Sequence, residues 1–111
     1  MVSFDYDNTL DHREVQRYAL GLLKRGFEVY ICTYRGRSFD NTFLYYTMGR
    51  IGIKRENVIF TNLTPKSPFI KDMIFHLDDM PKDGEVDNWV VFKEGWKEKC
   101  EELIRNSGIK R

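Results

Sequence analysis

Val2-Ser3-Phe4-Asp5-Tyr6-Asp7-Asn8-Thr9-Leu10 is the stretch on which the reading of this chain turns. A short apolar-leaning run leads into two carboxylates two residues apart, and a hydroxyl follows two residues later. At the end of a strand, the two-residue period points Asp5 and Asp7 roughly the same way, off the strand's C-terminal end. Asn8 and Thr9 then favour a turn. Two like charges this close are costly unless a cation or a proton relieves them. Oxygen-only ligands suit a hard cation such as Mg2+, which keeps water and accepts phosphate oxygens. A carboxylate beside such an ion can also attack phosphorus and form an aspartyl-phosphate. The plainer alternative is a strand end followed by an acidic turn, and the stretch by itself leaves both open.

Outward from this stretch, strand and helix signals alternate. Asp11 reads as a helix cap with Glu14 three residues on, as in a capping box. Val15, Tyr18, Ala19, Leu22 and Leu23 follow the spacing of one buried helical face, and Gly26 reads as its stop. Residues 27–33 read as a mostly apolar strand, as parallel strands buried on both faces do. A helix over about 40–49 is expected to bury Phe43, Leu44 and Met48. Strands follow at 58–61, at 73–77 (ending in Asp78-Asp79) and at 89–92, with a short helical piece around 69–72 between the first two. A last helix carries Trp96, Cys100, Leu103 and Ile104 on one face. This alternation predicts an α/β fold: a three-layer, doubly wound parallel sheet of about five strands, with right-handed crossovers and helices on both faces. Ligands of such sheets bind beyond the carboxyl ends of the strands. Asp5 and Asp7, Thr33 and Arg35, and Asp78 and Asp79 all fall at that edge.

The 111 residues suit one domain spanning 1–111, with enough chain for a core. A net charge of +1 argues against a strongly basic nucleic-acid clamp but leaves room for a local basic patch. Residues 1–55 hold nine lysines and arginines against six carboxylates, while the rest hold nine against eleven, so the positive excess lies in the first half. Cys32 and Cys100 show no disulfide-scaffold pattern and read as buried free thiols. With no membrane span or leader visible, the expectation is a cytoplasmic protein, monomer or dimer.

Taken jointly, the motifs resemble those of the haloacid dehalogenase (HAD) superfamily of phosphohydrolases. Asp5-Tyr6-Asp7-Asn8-Thr9 is similar to its first motif, D-x-D-x-T. Thr33 ends the second strand where the family places Ser or Thr, Lys66 or Lys71 lies where its lysine belongs, and Asp78-Asp79 is similar to its acidic fourth motif. The resemblance covers nearly the whole chain. It implies a HAD-like Rossmannoid fold and a Mg2+-dependent phosphatase working through an aspartyl-phosphate. It further implies Asp5 as nucleophile and metal ligand, and Asp7 as general acid and base that offers its backbone carbonyl to the metal. Thr33 and the lysine would hold the phosphoryl group. Asp78 would complete the metal site, with Asp79 as ligand or close neighbour. Lys66 is favoured over Lys71 because Ser67 and Pro68 read as N-cap and N1 of the short helix, so that Lys66 stands beside a natural anion site. Register in a short helix shifts easily, and Lys71 stays open.

The connections after Asp7 and before Lys66 leave no room for a cap domain, which points to an open site and a large substrate, or to a partner subunit serving as lid. Thr33-Tyr34-Arg35, with Tyr18-Ala19-Leu20 and Gly26-Phe27-Glu28-Val29, also resembles the phosphatase domains of phage-type polynucleotide kinase–phosphatases. That likeness implies a polynucleotide 3′-phosphatase, with Arg35 and Arg37 near flanking phosphates. A small-metabolite or nucleotide phosphatase, and a catalytically silent binding module on the same fold, are the alternatives. His76 reads as a hydrogen-bonded core histidine. Phe43, Tyr45 and Tyr46 read as helix packing with one exposed tyrosine open as a stacking group, and Trp89 and Trp96 as core.

Overall fold

Five parallel strands and three α-helices realise the expected alternation in a computed structural model that describes residues 1–108; residues 109–111, the end of the expected 1–111 domain, lie outside the described residues. The elements are β1 (Val2–Phe4), α1 (Arg13–Lys24), β2 (Val29–Thr33), α2 (Thr42–Ile51), β3 (Val58–Phe60), β4 (His76–Asp78), β5 (Trp89–Val91) and α3 (Trp96–Asn106). The strand order is β3-β2-β1-β4-β5, and every neighbouring pair is parallel. The chain therefore winds outward from β1 to β3, then crosses back beside β1 and winds the other way. That reversal, between β1 and β4, is where open α/β sheets leave a crevice for ligands.

Side-chain alternation divides the sheet cleanly. Val2, Phe4, Val29, Ile31, Leu77 and Val90 face the main core, where they meet Val15, Ala19 and Leu22 of α1, Leu44, Met48 and Ile51 of α2, and Trp96, Cys100 and Ile104 of α3. The opposite face carries Cys32 with Tyr30, Ile59 and Trp89, covered by Ile70, Met73 and Val86. All three α-helices thus lie on one face. The second layer expected of a doubly wound sheet is present in its winding but is built of irregular chain, with one 3-10 turn at Ser67–Phe69. Asn88 pins this layer, its amide donating to the Ile70 and Met73 carbonyls at 2.8 Å each. Among the described residues no helix is long and apolar enough to cross a membrane.

Local physics explains where the elements begin and end. α1 stops in a Schellman arrangement, with Phe27 N–H on the Leu22 carbonyl and Gly26 N–H on the Leu23 carbonyl, both at 3.0 Å, and Gly26 at φ 93°. Its start corrects the capping-box expectation. His12 holds the cap position without a side-chain bond, and the Asp11 carboxylate instead accepts the Asn8 N–H at 3.2 Å. α2 starts at Thr42, whose N–H and hydroxyl donate to the Asp40 carboxylate at 3.2 and 2.7 Å. Phe43 is a second correction: it is 77% exposed, because the stripe of Leu44, Met48 and Ile51 sets the phase of the helix against the sheet. Strand β4 is shorter than expected at its start, and Met73 packs on the second face instead.

α1 and α3 are tied across the helical layer by one carboxylate. Glu101 accepts the Tyr18 hydroxyl and the Arg25 guanidinium, the latter at 2.9 and 3.1 Å. Burial alone would raise the Glu101 pKa; the bonds from Arg25 and Tyr18 outweigh it and lower it. The ionised carboxylate therefore favours the fold above the ordinary glutamate range, and this stabilisation is lost as pH falls through its depressed pKa. Tyr18→Phe should cost about 1 kcal/mol at neutral pH. Glu101→Gln should flatten the acid limb of a urea-denaturation profile measured between neutral pH and pH about 3; an unchanged limb would contradict the assignment.

Candidate functional site at the carboxyl edge of the sheet

Three strand ends and one loop build the site. β1 delivers Asp5, held by its own N–H on the Leu77 carbonyl at 2.8 Å, so the backbone of β4 sets its height. Beyond it, Tyr6–Leu10 forms a tight loop in which Asp7 stays extended and Asn8 takes φ 59°, a left-handed conformation that asparagine tolerates. Leu10 N–H closes the loop on the Asp5 carbonyl at 3.1 Å, and the Thr9 hydroxyl approaches Asp5 Oδ2 at 3.5 Å. β2 ends in Thr33, fully buried, whose Oγ1 accepts the Arg35 N–H at 3.2 Å and keeps its own O–H free to donate. β4 ends in Asp78, with Asp79 next to it.

The centre of the site is Lys66, which is 0% exposed. Its Nζ donates to Asp5 Oδ1 at 2.8 Å and to Asp78 Oδ2 at 2.6 Å. Lys71 is exposed, so the structure brings Lys66 to the carboxylates and leaves Lys71 outside. The expected Ser67 cap is not made. Lys66 itself holds the cap position of the 3-10 turn, and the Asp83 carboxylate accepts the Lys66 and Ser67 N–H groups at 2.7 and 3.0 Å. The anion position expected there is thus filled from within the chain. Asp83 also accepts the Tyr34 hydroxyl, and the Tyr34 ring lies 4.3 Å from Lys66 Nζ. Tyr34, Asp83 and Gly84, which sits so close that a Cβ would meet Ser67 Oγ at 2.2 Å, were not legible as site residues. A turn-forming Asp-Gly pair signals a loop, not the partner its carboxylate will find.

Behind Asp78 lies a buried relay. Asp78 Oδ2 accepts His76 Nε2 at 2.8 Å, and the Ser3 hydroxyl meets His76 Nδ1 at 2.8 Å. An ionised carboxylate only accepts, so Nε2 carries the proton and Nδ1 takes the Ser3 hydroxyl's. His76 is the hydrogen-bonded core histidine that its position in the strand implied, and burial lowers its pKa. Asp78 Oδ1 accepts the Met80 N–H at 3.0 Å.

Asp5, Asp78 and Asp79 present oxygens within 4.8 Å of one another. At that spacing each pair of charges repels by roughly 3 kcal/mol at an effective dielectric of ~20. Lys66 neutralises one carboxylate, and the excess negative charge remains. Burial is the largest influence on Asp5 and raises its pKa, Lys66 opposes the rise, and Asp78 adds to it. Burial opposes ionisation of Asp78 too, but the bonds from His76 and Lys66 hold its carboxyl below the ordinary range. An oxygen-only cluster with uncompensated negative charge fits a hard divalent cation. Asp7 contributes no side-chain oxygen to this cluster. Its carboxylate, 49% exposed at the rim, is gripped by Arg35 through Nε at 2.9 Å and Nη2 at 2.8 Å. Arg35 Nη1 donates to the Asp40 carbonyl at 2.8 Å, so this guanidinium bridges Asp7 to the loop before α2. Arg37 is exposed and lies over the Phe60 ring at 5.2 Å. His12 packs edge-on against Phe92.

No family model, no curated protein and no solved structure matches the chain.

Removing Lys66 leaves two carboxylates without their shared partner. Lys66→Ala should therefore destabilise the chelator-treated protein by about 3–5 kcal/mol in urea denaturation, while Lys71→Ala stays within about 0.5 kcal/mol. Equal effects of the two substitutions would contradict the central place given to Lys66.

Proposed function

We propose that the chain is a phosphoric monoester hydrolase of the haloacid dehalogenase type, with Asp5 as nucleophile. The observation that carries this reading is the buried Lys66 ammonium bridging Asp5 and Asp78 at the sheet's reversal point, beside a three-carboxylate oxygen cluster. Asp5, Asp78 and Asp79, with the Asp7 backbone carbonyl, would hold Mg2+. Bound there, the ion supplies Lewis-acid polarisation of the phosphoryl oxygens and neutralises their charge.

The chain's own groups then have distinct tasks. A phosphate ester is an anion that a carboxylate repels; Lys66 and the Thr33 hydroxyl offset that repulsion by donating to the phosphoryl oxygens. An Asp5 oxygen forms a bond to phosphorus as the ester oxygen–phosphorus bond breaks, and the leaving oxygen takes a proton from the Asp7 carboxyl. Water then attacks the phosphorus of the aspartyl-phosphate, Asp7 takes its proton, and phosphate and free Asp5 result. The two aspartates are held differently: Asp5 is buried against Lys66, and Asp7 is solvated against Arg35. The step needs Asp5 ionised, which Lys66 and a divalent cation beside it would favour, and Asp7 protonated, which calls for its release from Arg35. Arg35 in this scheme positions Asp7. The short connections after Asp7 and before Lys66 leave no room for a cap domain, so an accessible terminal phosphate on a large substrate suits the site, a polynucleotide 3′-phosphate being the case that the sequence resemblance favours.

The experiment is turnover of an aryl phosphate with Mg2+, abolished by chelator. Asp5→Asn should lower kcat by at least roughly 10³-fold. Its stability should move the other way. In the fold Asp5 binds its proton more tightly than in the unfolded chain, so stability in chelator falls as pH rises above the ordinary aspartate range, and an uncharged amide removes that loss. An Asp5→Asn protein with a tenth of the original activity would overturn the assignment.

A further inference from the structure

Away from the carboxylate cluster, α1 and α2 enclose a groove of about 130 Å3 lined by Arg13, Gln16, Arg17, Leu20, Arg50 and Ile51. Arg13 and Arg17 stand one turn apart on α1 and so share a face, while Arg50 comes from the last turn of α2. Among the described residues none of the three has a carboxylate within 4.0 Å; the arginine ion pairs are those of Arg25 and Arg35. Three guanidinium groups converge here without a counter-ion, in a chain whose net charge is only +1. The positive potential is local, and it attracts anions to this groove.

An aromatic stripe adjoins it. Phe43, Tyr46 and Arg50 recur at three and four residues on the outward face of α2, with Phe43 77% and Tyr46 63% exposed. The Arg50 guanidinium stands 5.7 Å from the Tyr46 ring and joins stripe to groove. Phe39 is exposed where the chain enters the helix. Within residues 39–50 the lone carboxylate is Asp40, and Thr42 occupies it.

We propose that this α1–α2 face binds single-stranded nucleic acid, with Arg13, Arg17 and Arg50 on backbone phosphates and Phe43 and Tyr46 stacked under bases. Exposed rings offer a surface for any base, and unpaired guanidiniums beside them take the phosphates. An acidic peptide would use the arginines and leave the rings idle. A second copy of the chain on a two-fold axis would set the arginine cluster against itself. The surface is independent of the hydrolase reading.

The test is fluorescence anisotropy at low salt with a labelled single-stranded oligodeoxynucleotide of about a dozen residues carrying no terminal phosphate. The triple substitution Arg13→Ala, Arg17→Ala and Arg50→Ala should weaken binding at least ten-fold and lower the salt slope by about two. Phe43→Ala and Tyr46→Ala should each weaken it about five-fold or more. Lys71→Ala, Lys93→Ala and Lys99→Ala together remove the same charge from elsewhere and should stay within about two-fold, and Asp5→Asn should bind like the parent whether or not it turns over phosphate esters. No binding by the parent protein, equal loss in the two triple variants, equal competition by polyglutamate, or self-association that the arginine triple abolishes would each overturn the proposal.

Discussion

A lysine side chain with no exposure to water holds the carboxyl edge of this protein together. Taking an ammonium out of water costs several kcal/mol, and the contacts that offset the cost are two carboxylates at 2.8 and 2.6 Å. Those carboxylates end β1 and β4, the strands between which the sheet reverses its winding. Lys66 is in turn fixed by chain that is not strand at all. The 3-10 turn carries it, Asp83 braces that turn through two backbone N–H groups, and the Tyr34 ring lies against the ammonium. The irregular layer on the second face of the sheet thus has a specific task, which is to bring one cation to the switch point.

Such an arrangement is poorly balanced as a purely structural device. One ammonium serves two buried carboxylates, a third lies within the same small volume, and burial, with the Asp78 charge adding to it, leaves Asp5 preferring to keep its proton. A core built for stability alone would replace the cluster with apolar groups at little cost or even some gain. Under the proposed hydrolase reading the stored charge would serve a divalent cation and an anionic substrate, which would meet groups already desolvated and oriented. The contrast between Asp5, held by Lys66, and Asp7, held by Arg35 at the rim, separates two aspartates that the sequence places only two residues apart.

Much of this edge was legible in the chain itself. The Asp5-Tyr6-Asp7 spacing, the alternation of strand and helix patterns and the Asp78-Asp79 pair follow from local periodicity, which fixes strand ends and the direction of successive side chains. Other features depend on contacts between distant segments and leave no local mark. Phe43 and Leu44 were both expected to be buried in α2, but adjacent helical residues point about 100° apart and the sheet takes Leu44. Asp83 looked like a turn residue because that is its backbone role, while its carboxylate acts on residues 66 and 67. Arg35 had free reach in the sequence, and the fold placed Asp7 within it. The second layer was expected to carry a short helix around 69–72, but the chain there makes one 3-10 turn over Ser67–Phe69.

In the proposed reaction Asp5 becomes covalently phosphorylated. The direct measurement is mass spectrometry of the protein acid-quenched during turnover of an aryl phosphate with Mg2+, read on the peptide that contains Asp5. The expected result is the added mass of one phosphoryl group on Asp5, absent when chelator is present and discharged by water on standing. Turnover with no label on Asp5, or with the label on another residue, would contradict it.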